Sequence, residues 1–209
     1  MTEGLFSGSP ARDALLRLYS MANIQDPELQ KRWVGLSLKL GPRLASRSIV
    51  TIQNLGNLDL ILRALEKEFH PTPSVDPVLT LQSGLSEAWI GSAYEIFRIA
   101  KNKLPDDAQV RQIHDQLRLL RIPLEKYQIS EDSKLNEPLK LVKESSDHED
   151  VYLYDKTDLD REHVMPTGVS NRGSVQWRAI DLTKMDSSWI ERLHLSEVIL
   201  DYGDSFAST

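Results

Sequence analysis

Between Tyr154 and Pro166 the chain reads YDKTDLDREHVMP, which gathers Asp155, Asp158, Asp160, Glu162 and His163 within nine positions. Carboxylates and an imidazole can hold a divalent ion, and the same groups move protons in general acid–base chemistry. The order of the residues argues against an EF-hand. A loop beginning at Asp158 would set Asp160 and Glu162 at ligand positions, but it puts His163 where the turn needs glycine and Val169 where it needs a bidentate glutamate. Neither His148 nor His194 completes an HExxH or HxH pattern with His163. The expectation is a solvated acidic loop, with no metal and no cofactor.

A second constellation is basic. Arg111, His114, Arg118 and Arg121 follow one another at spacings of 3, 4 and 3, with Glu125 four positions further on. They lie one position round from the apolar series Val110, Ile113, Leu117, Leu120 and Leu124, so on a helix they flank the core seam. Guanidinium forks match phosphate oxygens, which makes the stripe a candidate phosphate or partner-binding surface. The charge distribution offers an intramolecular alternative. Residues 1–130 carry 16 Lys+Arg against 14 Asp+Glu, and residues 131–209 carry 9 against 17. Acids of the second half could dock on the stripe, and in the sharpest form the 155–163 loop clasps Arg111, Arg118 and Arg121.

A third candidate pairs an arginine with a histidine. The stretch RALEKEFH, from Arg63 to His70, resembles the short arginine-to-histidine signature of bacterial HEPN ribonucleases, although Ala64 stands where a polar residue usually follows the arginine. The resemblance implies a helical bundle that cleaves RNA, with Arg63 stabilising phosphorane charge and His70 moving a proton. In the bland alternative Arg63 is a surface residue and His70 sits favourably at the negative end of a helix dipole.

These groups need elements to hold them. Ser9-Pro10 and Asp26-Pro27 are helix starts, leading into a short helix over 10–22 and an amphipathic one in which Leu29, Trp33, Leu36 and Leu40 share a face before Gly41-Pro42. A helical pattern over 44–69 carries a candidate break at Asn54-Leu55-Gly56-Asn57, and residues 71–82 read as a connector. Residues 85–104 and 108–127 form two helical runs separated by Pro105-Asp106-Asp107, hence an antiparallel hairpin, with Pro123 predicting a kink or a stop near Ile122. Residues 131–150 read as a polar linker. Val151–Tyr154 and Val175–Ile180 have β-forming composition and are expected to pair, with Asn171-Arg172-Gly173-Ser174 a turn. A terminal helix is expected from a capping box at Ser188 and Glu191, stopping at Gly203. The tryptophans at 33, 89, 177 and 189 are expected in the core.

The fold class is therefore mainly α: a bundle of five or six helices with a central antiparallel hairpin over 1–130, a linker over 131–150, and a small β-hairpin plus terminal helix over 151–209. With no cysteine, thiolate and disulfide chemistry are absent and a cytoplasmic setting suits the chain. No apolar run approaches the roughly 18 residues needed to span a bilayer, so no membrane partner is expected. The formal charge of −6 argues against duplex DNA, whose affinity is dominated by phosphate neutralisation. No GxGxxG, GxxxxGK[ST] or GxSxG motif occurs. The expectation is a non-catalytic helical interaction module that binds a protein partner or itself through a helical face; the alternative is an RNA-binding protein or HEPN-like ribonuclease.

Overall fold

Apolar residues repeating at helical spacing through the first 126 positions yield five consecutive helices: α1 (Pro10–Gln25), α2 (Pro27–Leu44), α3 (Ser48–Lys67), α4 (Pro77–Lys103) and α5 (Ala108–Lys126). The computed structural model describes residues 9–45, 47–70, 77–144 and 149–206; residues 1–8, the first half of the 71–82 connector and His148 lie outside them. Ser9 accepts a hydrogen bond from the Arg12 amide and Asp26 one from the Leu29 amide, so both helix starts are capped as their sequences predict. A four-residue connection joins α4 to α5, where Asp107 accepts from the Gln109 and Val110 amides at 3.0 Å. The two helices form the antiparallel hairpin expected at the centre of the chain.

Tertiary packing overrides several local breakers. The α2 helix continues through Gly41-Pro42 to Leu44, since a proline in the last turn removes one backbone bond without removing the buried face that ends in Leu40, Gly41 and Leu44. Asn54–Asn57 stays helical inside α3, with Leu55 and Gly56 buried. Pro123 lies within α5, which runs on to Lys126 and ends at Tyr127 in the left-handed conformation (φ 53°), its amide bonded to the Pro123 carbonyl at 3.0 Å. At Pro77 the chain enters α4, eight residues before the expected start.

The β region differs most from expectation. The LKLV cluster, read as part of a linker, forms β1 (Leu139–Glu144), and it is this strand that pairs with β2 (Glu149–Tyr154), in the register Leu139 to Tyr154 and Val142 to Val151. The Val175–Asp181 strand, β4, sits instead between β3 (Thr167–Val169) and β5 (Asp186–Glu191), both antiparallel to it. Ser188 and Glu191 therefore belong to a strand and not to a capping box; ladder bonds along the whole of β5 satisfy more backbone groups than a cap could. The terminal helix α6 (Arg192–Ser205) follows directly, and Gly203 is inside it, packed on Leu36. Among the described residues there are six α-helices and two small antiparallel sheets, a mainly α architecture.

One apolar core runs through both halves of the chain. Trp33, Leu40, Trp89 and Leu117 of the bundle join Trp177 of β4 and Leu195 and Ile199 of α6 in it. A satellite cluster of Ile129, Leu135 and Tyr154, edged by Leu139, Leu141, Tyr152, Ile180 and Leu182, lies between the two sheets. Trp189 departs from the expected burial: it stands opposite Arg178 in the ladder, on the sheet face turned away from Trp177, and is 45% exposed. No helix among the described residues is long and apolar enough to cross a membrane.

Candidate functional site

The α3 stripe that faces the core is Ile52, Leu55, Asp59, Leu62 and Glu66, so two carboxylates occupy core positions. Burial of unpaired carboxylates is prohibitive, and the chain answers it with arginines. Arg192, at the start of α6 and fully buried, donates to both Glu66 oxygens at 2.7–2.8 Å and to Asp59, with its guanidinium 5.4 Å from the Trp89 ring centroid. Asp59 also accepts from Trp33 Nε1 at 2.9 Å and from Arg63 Nε at 3.0 Å. Burial would raise the Asp59 carboxyl, but the Arg192 and Arg63 charges outweigh it and hold the group below its ordinary range. For Glu66, burial prevails and the carboxyl is raised.

This network decides where Arg63 points. Its Nη2 donates to Ser196 of α6 at 2.9 Å, so the guanidinium bridges α3 to α6. His70 is exposed, beyond the end of α3. Neither residue lines the two principal cavities among the described residues. The arginine-to-histidine spacing is thus present, with the arginine held by two partners of its own.

The basic stripe on α5 is likewise engaged. Arg111 donates to the Pro105 carbonyl, Arg118 pairs with Glu131 at 2.9 Å, and Arg121 pairs with Glu125 one turn on. His114 is buried, its Nδ1 2.8 Å from Asp115 and 3.2 Å from Lys101 Nζ, with its ring 5.4 Å from that of Tyr94. Burial, helped by the Lys101 charge, lowers the His114 pKa, so the ring is neutral near pH 7. An acid of the second half does dock on the stripe, but it is Glu131. The 155–163 loop turns inward on itself: Asp155 accepts from Thr157, Asp158 from the Asp160 amide, and Arg161 reaches Asp132 at 2.8 Å. No group of three or more potential metal ligands converges among the described residues.

His163, the last residue of that acidic run, is placed differently from its neighbours. Its amide donates to the Tyr127 carbonyl at 2.8 Å, and the ring is buried with Nδ1 2.9 Å from Tyr152 Oη. Burial lowers its pKa and raises that of Tyr152, so a neutral imidazole meets a neutral phenol. With the phenol donating to Nδ1, Nε2 carries the ring's one N–H hydrogen, and that atom is buried without a partner among the described residues.

The Tyr152–His163 pair lies on the wall of the larger cavity, a cleft of about 730 Å³ between the two sheets. Leu141, Ile180, Leu182 and Met185 supply apolar surface, and Lys140 and Arg178 stand among them, the latter bonded to Ser187 at 3.2 Å. This volume is in the range of ligand-binding clefts. The cleft is not legible in the sequence because it needs β1, whose residues sit in a charged, Ser-rich stretch of linker composition. The alternation of Leu139 and Leu141 with Lys140 is the signal that was available. No protein-family model, curated protein or solved structure matches this chain.

Proposed function

We propose that this chain is a non-catalytic, cytoplasmic interaction module whose recognition surface is the cleft between β1–β2 and β3–β4–β5. The expected helical face gives way in this reading because its cations are occupied: Arg63, Arg118 and Arg121 each hold a carboxylate of the same chain. One observation carries the proposal. The cleft combines apolar walls with a small number of polar groups, the combination that binds and orients a partner. Exposed apolar side chains at its rim, Met185 at 70% and Val142 at 51%, extend the surface beyond the cavity itself.

The test is selection of displayed random peptides on the immobilised chain, followed by binding measurements with variants. Ligands are expected to lose affinity with Met185→Glu and to keep it with His70→Ala and Arg118→Ala. Cleavage of single-stranded RNA by the purified protein, abolished by His70→Ala, would instead establish the ribonuclease.

A further inference from the structure

We propose that the occupant of the cleft is an extended peptide segment of a partner protein, added as a strand to the free edge of β1, with an acidic side chain meeting Lys140. The inference rests on the cleft being the recognition surface. Leu139, Lys140, Leu141 and Val142 all line the cavity. Successive residues of a strand point to opposite faces, so four in a row border one space only along the strand's edge. The other edge of β1 is taken by β2, and no further strand pairs with it among the described residues. Every second residue of β1 therefore turns its N–H and C=O away from β2.

A six-residue edge with apolar side chains on both faces is the kind of template to which an extended segment adds; main-chain bonds supply affinity and alternate side chains supply specificity. Here Leu139 and Leu141 face the satellite cluster, while Val142, Val151 and Leu153 are exposed on the other side. A two-stranded sheet is marginal by itself, and a third strand completes a stable unit. The cleft also carries Glu162 and Asp186 on other segments, but Lys140 is the charged residue of the β1 edge that borders it and has no ion-pair partner among the described residues, which favours an acidic residue directly opposite it on the incoming strand.

The test uses the full chain and the best peptide from the displayed library, made in its natural form and in two forms N-methylated at alternate backbone amides. Enriched sequences are expected to alternate apolar with acidic residues. N-methylation in one register is expected to weaken binding about tenfold or more, and in the other to leave it unchanged. Lys140→Glu is expected to weaken binding about tenfold, with recovery when the peptide's acid is exchanged for lysine. Amides of β1 are expected to gain protection from hydrogen exchange in the complex. Lys140 and Met185 are exposed, so these variants keep the fold, which circular dichroism checks. Binding lost in Met185→Glu but indifferent to N-methylation in both registers overturns strand addition and leaves the cleft as the site. Binding indifferent to Met185→Glu and Lys140→Glu, or no enrichment at all, overturns both. Dimerisation in sedimentation that Met185→Glu abolishes and no peptide competes with assigns the cleft to a second copy.

Discussion

Arg192 pairs with two buried carboxylates, sharing Asp59 with Arg63, and the balance is unforgiving. Removing one member of a buried ion network leaves its partners desolvated and unpaired, at a cost of about 3–5 kcal/mol. Arg192→Met is expected to lose that much in urea unfolding, and the triple variant with Asp59→Asn and Glu66→Gln to recover most of it. Titration adds a second expectation. Burial holds the folded His163 ring below its ordinary 6.5, so as pH falls through that value the unfolded chain takes up a proton first. The stability His163 contributes is thus full above 6.5 and is lost on acidification toward its folded pKa; His163→Gln is expected to flatten the pH dependence of unfolding in that window. His114 acts with the same sign, whereas Asp59 acts only below its ordinary 3.8. These sites were partly legible. Asp59 and Glu66 stand in register with Ile52, Leu55 and Leu62, and charges at core positions announce a buried partner. That the partner is Arg192, 133 residues from Asp59, no local spacing could say.

Among the elements, the helices follow their sequences because caps and apolar periodicity act over a few residues. Glycine shows where neighbours intervene. At Gly56 an added Cβ would stand 2.5 Å from Trp33 Cγ, whereas at Gly84 it would meet nothing within 4 Å. Alanine in an exposed helix interior gains about 1 kcal/mol over glycine, and overpacking costs about 1–3 kcal/mol. Gly84→Ala is therefore expected to raise the thermal midpoint and Gly56→Ala to lower it. Gly173 is a case of backbone need: its φ is +76°, and a Cβ there would strike the Glu66 carbonyl, so the Asn171–Ser174 turn read from sequence is also where β4 begins its approach to α3. Strand pairing was less legible. Val151–Tyr154 has the composition to pair with either LKLV or VQWRAI, and the shorter connection prevails because closing a smaller loop costs less entropy.

The whole molecule shares one core, so its parts are unequal in stability. A fragment of residues 1–130 would lack Trp177, Leu195 and Ile199, and is expected to lose cooperative unfolding in a circular-dichroism melt. Amides of β1–β2, held by one ladder and the satellite cluster, are expected to exchange before those of α2 and α3. From sequence alone come the mainly α class, the central hairpin, the capped starts at Ser9 and Asp26, and the uneven charge, because each depends on residue type or on contacts within a few turns. Tertiary structure alone decided that the Arg63 guanidinium reaches Ser196, that Glu131 holds Arg118, and that His163 leaves its acidic loop for the wall of a cleft. Those outcomes join residues far apart in the chain, and burial, which sets their partners and their protonation, exists only once the elements have packed.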